Sequence, residues 1–239
     1  MYTKKIVLFK NIFMYGVQEE NTGFGVQTNA TFMSTMWSFF GLAIFIAALG
    51  AFSGEFILRT TGFWVPYMAF MGMMFTSGMW INSKAKLPMF ALFAFLSGTV
   101  MYPTLAFAGA TGQIGEVIKA FIAGGLTFFI AAVWGFTTQK DLSGWGNFLT
   151  MAMFGMFGIA MISMIGGGLL NIELLQFSST MSYVYSAISV LLFTAFTSYD
   201  IQNIKKGLYS SPMEAAFHMY FNLYIIIQHM MNLFMFSDD

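Results

Sequence analysis

Residues 114–136 read IGEVIKAFIAGGLTFFIAAVWGF. After Lys119 no ionisable side chain interrupts the run, and its apolar residues are continuous instead of alternating with polar ones. A strand with one wet face would alternate, and a barrel strand would do so in segments of about ten. Some twenty mainly apolar residues in a helix cross the roughly 30 Å hydrocarbon core of a bilayer. This stretch is therefore predicted to be a transmembrane helix, with every backbone hydrogen bond satisfied inside the segment.

Six further stretches of the same kind flank it, giving seven expected spans: Thr31 to Gly50, Thr60 to Ile81, Leu87 to Gly109, Ile114 to Phe136, Phe148 to Leu170, Ser178 to Tyr199 and Met213 to Met235. The breaks between them are short, so consecutive spans are expected to be antiparallel neighbours. The expected architecture is an all-α membrane protein, one seven-helix domain over residues 31–239 preceded by a tail over residues 1–30. No linker, internal repeat or inverted-repeat pattern of the common transporters interrupts it.

Composition agrees. The chain is 58% hydrophobic and 8% charged, against about 45–50% and 25% for a soluble domain. Ten basic residues balance ten acidic ones, so no net field favours nucleic acid as a partner. Without cysteine there is no disulfide or thiolate metal site. Met68, Met71, Met73 and Met74 are soft enough for Cu(I), although packing and lipid contact explain a methionine cluster equally simply.

Charge also orients the chain. If the tail with Lys4, Lys5 and Lys10 is cytoplasmic, that side also holds Lys84, Lys86, Lys140, Lys205 and Lys206, leaving Arg59 and Lys119 on the other. The asymmetry predicts N-in and, with an odd number of spans, C-out. The apolar run Ile6 to Phe9 is too short for a signal-peptide core, so the tail is expected to be retained.

Gly124 and Gly125, Gly155 and Gly158, and Gly166 to Gly168 are expected to let helices approach or, for the last run, to end a helix. Glu116 and Lys119 stand at i and i+3 near a helix start, which suits a local ion pair. No Walker loop, H-E-x-x-H, G-x-S-x-G or carboxylate pair on one helix face is present in the sequence, and the expectation is a non-enzyme without a bound cofactor.

The last two spans carry polar stripes. At 100 degrees per residue, Ser178, Ser182, Ser186, Ser189 and Asp200 fall within about 80 degrees on span six, as do His218, Asn222, His229 and Asn232 on span seven. The two faces are expected to meet. One reading is a hydrated or proton-sensitive pathway with Asp200 as its ionisable group and His218 as a titrating neighbour. The other is interhelical hydrogen bonding, with His218 a packing residue.

Three segments resemble a known family. The stretch FTSYDIQNIKK, which holds Tyr199, Asp200, Gln202 and Lys206, resembles the Y-D-x-Q-x-I-K motif closing the sixth helix of the Bax inhibitor-1 family. WGFTTQKDLS, from Trp134 to Ser143, is similar to its G-x-x-T-x-K-D-L-S, and FLSGTVMYPTL, from Phe95 to Leu105, to its S-G-x-x-x-x-P-x-L. The segments AGATGQIGEVI and MYFNLY resemble the bacterial inner-membrane branch called YccA. The resemblance covers roughly Thr31 to Phe236.

That resemblance implies a central seventh helix wrapped by six others. It also implies a pH-sensitive Ca2+ leak, in which an acid on helix six and an acid on helix seven share a proton and close the pore. The first acid corresponds to Asp200, which would also be a weak Ca2+ site, and a basic residue opening helix three to Lys86. The second corresponds to Asn222, an amide, so a coupled carboxylate pair is not expected and the gate would titrate as a single acid. The YccA branch implies a different role, modulation of the membrane AAA protease FtsH through the cytoplasmic tail. The amide at 222 tilts the sequence reading towards that regulator, with a cation leak as the alternative.

Overall fold

In the computed structural model, the structure describes residues 30–235 apart from 171, 174 and 175. The expected tail, except Ala30, and the last four residues lie outside the described ones. Among the described residues all regular structure is helical. The elements are α1 (Ala30–Phe52), α2 (Gly54–Thr61), α3 (Trp64–Phe75), α4 (Ser77–Trp80), α5 (Lys86–Thr111), α6 (Ile114–Thr137), α7 (Gly146–Ile162), α8 (Ser179–Lys205) and α9 (Pro212–Met235). A 3-10 turn, Ser143–Trp145, leads into α7, and a wider π-helical turn, Ser163–Leu169, extends it.

Among the described residues five helices are long and apolar enough to cross a membrane: Ala30–Phe52, Lys86–Thr111, Ile114–Thr137, Ser143–Gly168 and Ser179–Lys205. The expected second span differs, because it is divided into α3 and α4 at Thr76. There the Thr76 hydroxyl donates to Gly72 O at 2.7 Å, and the Trp80 indole N–H donates to Met73 O at 2.9 Å. The Thr76 hydroxyl thus joins its own main-chain N–H on Gly72 O, and the Trp80 indole supplies a donor to Met73 O across the break. The seventh expected span is the 24-residue α9, about 36 Å long at 1.5 Å per residue. Its embedded His, Asn and Gln side chains lower its hydropathy.

Glycines with positive φ close two of the long helices. Gly112 (φ 75°) lets the chain turn from α5 into α6, with Gln113 N donating to Ala108 O at 2.8 Å, and Gly207 (φ 71°) follows the last turn of α8. A side chain with a Cβ is strained in that backbone region.

The chain forms two compact units, Met1–Pro103 with Lys206–Tyr220 and Thr104–Lys205 with Phe221–Asp239. In the first, α1 and α5 approach so closely that a Cβ at Gly50 would lie 2.9 Å from the Phe95 carbonyl carbon and one at Gly98 2.8 Å from Ala51 N. Thr99 Oγ1 donates across this seam to Gly50 O at 3.3 Å. Phe93 of α5 stacks on Phe70 at 4.9 Å and meets Phe217 of α9 at 5.0 Å, and Phe217 meets Trp80 edge-on at 5.4 Å.

In the second unit α9 packs on α6, α7 and α8. Ile227 lies against Gly124 of α6, where a Cβ would come within 3.3 Å of the Ile227 Cα. Phe221 faces Phe157 of α7 at 6.2 Å and Phe193 of α8 at 5.6 Å.

The expectation that small residues mark helix contacts holds for Gly124 but is corrected for three others. A Cβ at Gly125, Gly155 or Gly158 meets nothing within 4 Å. Adjacent glycines on a helix point about 100 degrees apart, so one can face a neighbour while the next does not. The close approaches occur at Gly50, Gly98 and Gly135, which the sequence does not distinguish from other glycines. Gly166 to Gly168 lie in the π-helical turn, where Gln176 Nε2 donates to Gly167 O at 3.2 Å. Glu116 and Lys119 form the expected ion pair at 2.8 Å.

Candidate functional site

Helix α8 continues to Lys205, six residues beyond the expected end of its span. Asp200 is therefore embedded in the helix body, 2% exposed, and Asn222 of α9 is 3% exposed. Asn222 Nδ2 donates to Asp200 Oδ2 at 2.7 Å. A buried carboxylate without a donor loses its hydration uncompensated, and an N–H donated to a charged oxygen is stronger than a neutral bond. The contact joins the two polar faces that the sequence places on these helices.

The opposite side of α8 is tied to α6 and the loop after it. Ser198, Gln202 and Lys205 fall within about 60 degrees on an ideal helix, and Gln202 lies about 160 degrees from Asp200. Ser198 Oγ donates to Ala131 O at 2.9 Å. Gln202 Nε2 donates to Lys140 O at 2.7 Å while its Oε1 accepts from Leu142 N at 2.8 Å. Lys205 Nζ donates to Phe136 O at 2.9 Å and lies 5.3 Å from the centre of the Phe136 ring.

Gly135 makes this seam possible, because a Cβ there would come within 2.7 Å of the Ser198 Cα. Tyr199 lies against Gly146, where a Cβ would stand 2.9 Å from its Cζ. The Y-D-x-Q segment and the T-Q-K-D-L-S loop, which the sequence presents as separate signatures, are thus two sides of one contact. Spacing along the chain gives no sign of it.

A second polar contact joins α8 and α9 further along. His229 Nδ1 and Ser186 Oγ are 3.1 Å apart, Asn232 Nδ2 donates to the same Ser186 Oγ at 3.5 Å, and the Tyr185 ring lies 5.4 Å from the imidazole. Ser189 is turned elsewhere, its hydroxyl donating to Tyr185 O at 2.9 Å and lying 3.9 Å from Met156 Sδ of α7. Ser178 receives Met181 N at 3.2 Å before the start of α8, a capping role. Gln228 Nε2 donates to Thr104 Oγ1 at 3.3 Å, and its buried Oε1 has no partner among the described residues.

The other two candidates lie in the first unit. His218, on α9, packs edge-on to Phe217 at 5.5 Å and beside Tyr209 at 5.4 Å. Lys86 opens α5 and is partly exposed. In the same unit Ser97, from the S-G-x-x-x-x-P-x-L segment, shares a buried hydrogen bond with Tyr220 Oη.

Among the described residues no group of three or more His, Cys, Asp or Glu could hold a metal ion. Asp200 supplies one carboxylate, whereas Ca2+ takes six to eight oxygens.

A family model described as Inhibitor of apoptosis-promoting Bax1 matches residues 29–239. An uncharacterised protein of Helicobacter pylori is 30% identical over 215 residues, covering 85% of this chain and 87% of its own. An uncharacterised protein of Campylobacter jejuni is 28% identical over 211 residues, 84% and 87% of the two chains. An uncharacterised membrane protein of Streptococcus pyogenes is 36% identical over 126 residues, 52% of this chain and 48% of its own.

Proposed function

The chain belongs to the Bax inhibitor-1 family, and on that premise we propose that it is a seven-span bacterial inner-membrane protein, N-in and C-out, in which Asp200 and Asn222 gate a cation leak with Ca2+ as the ion. One observation carries the reading. A carboxylate 2% exposed sits within an apolar helix of spanning length, where it accepts a hydrogen bond from an amide of the neighbouring helix. Ionisable groups at such depth are expensive and concentrate on ion and proton pathways. In the closed arrangement Asn222 occupies the carboxylate. Separation of α8 from α9 exposes it to water and to a cation.

The seven spans are the five long apolar helices, the divided pair α3 and α4, and α9. The eight basic residues assigned to the tail and three loops, against Arg59 and Lys119, support the orientation. Purified protein in liposomes tests the gate. Wild type is expected to pass Ca2+, and Asp200→Asn to change that flux. No flux from either protein at any pH removes the leak reading.

A second reading follows from residues 1–28, which precede the family match and carry Lys4, Lys5 and Lys10. The tail is then the element through which a membrane AAA protease of the FtsH kind engages the chain, and the membrane domain is its non-catalytic anchor. The amide at 222 suits this reading, because no shared proton couples the two helices. Co-purification with the protease, lost on deleting residues 1–28 and accompanied by no flux, distinguishes it from the leak.

A further inference from the structure

We propose that Gln202 is a positioning residue for the Asp200–Asn222 contact, making the loop between α6 and α7 the element that sets the reach of the acid. The inference deepens the gate reading and rests on it. Three α8 side chains on one face, Ser198, Gln202 and Lys205, grip main-chain groups of α6 and its loop through four hydrogen bonds of 2.7–2.9 Å. The opposite face carries Asp200, which accepts from Asn222 Nδ2 at 2.7 Å.

Gln202 stands apart from the other two because it grips the loop and not the helix. Its amide donates to one residue and accepts from another two positions on, so it fixes the loop's path as well as its distance. Asp141, between them, shapes the same loop by accepting Ser143 N at 3.0 Å and Ser143 Oγ at 2.8 Å. Gln202 is 5% exposed and Asp200 2%, and a single residue of helix, Ile201, separates them, too short a lever to absorb a shift. A displacement of residues 140–142 therefore acts on the α8 segment between the Ser198 and Lys205 bonds, the segment that holds the Asp200 carboxylate.

A double-mutant cycle tests this, with thermal melts of the full chain in detergent for wild type, Gln202→Ala, Asn222→Ala and the double variant. If Gln202 positions Asp200, the fall in Tm caused by Asn222→Ala shrinks to less than half in the Gln202→Ala background, since the contact is already lost there. Additive shifts, the usual result for independent sites, overturn the proposal. Should Gln202→Ala fail to fold, Gln202→Glu keeps the acceptor for Leu142 N and removes the donor to Lys140 O, and the same cycle is run with it. Flux is measured on the same proteins. Non-additive melts without flux sustain the positioning role and remove the leak; additive melts with flux do the reverse.

Discussion

Asn222 of α9 and Asp200 of α8 share a 2.7 Å hydrogen bond from which water is almost fully excluded. The donor is an amide, so the bond forms without a proton being shared. It holds the two helices together whenever the carboxylate is charged, and its loss removes a buried donor that α9 gives to that charge.

Asn222→Ala is accordingly expected to destabilise the protein by about 1.5–3 kcal/mol, the range for a hydrogen bond to a charged group. A thermal or denaturant melt in detergent checks this. An unchanged melt would mean that the contact contributes nothing to holding α9.

Ser186→Ala removes the hydroxyl on which His229 and Asn232 converge. All three groups are uncharged or able to be so, and interhelical bonds of this kind average about 0.6 kcal/mol in membranes. The variant is expected to melt closer to wild type than Asn222→Ala does. The opposite ranking would place the main polar lock at Ser186.

Bulk at two glycines is expected to have contrasting effects. Gly135→Leu drives a side chain into the Ser198 main chain and should lower stability by more than about 3 kcal/mol, above the usual cost of overpacking because backbone cannot yield as a side chain can. Gly155→Leu extends into open space and should melt within about 0.5 kcal/mol of wild type, as surface substitutions do. Equal losses at both would show that α7 is covered where Gly155 lies.

These contrasts mark what the sequence can express. Continuous apolar runs outline the helices because the bilayer permits few alternatives to them, and helical angles place Asp200 and Asn222 on facing sides. The same arithmetic groups Ser189 with Ser186, yet Ser189 faces Met156, because an 80-degree arc on a crowded helix touches two neighbours. The division at Thr76 follows from local side-chain bonds that an apolar window does not register. Gln202 and the loop it grips are separated by 60 residues or more, and only the folded arrangement joins them.

Topology offers an independent check. A reporter fused after Asp239 is expected to read as extracytoplasmic, and one inserted beside Lys205 and Lys206 as cytoplasmic. Cytoplasmic signals at both positions would mean that α9 does not cross the membrane.

The most direct measurement of the central claim is Ca2+ uptake into liposomes containing wild type, Asp200→Asn or Asn222→Asp, followed from pH 8 to pH 5. The account predicts a wild-type flux whose pH response disappears in Asp200→Asn and steepens in Asn222→Asp, where two carboxylates at one contact must titrate together. Identical pH responses in all three proteins would contradict it, leaving the Asp200–Asn222 bond as structural adhesion between α8 and α9.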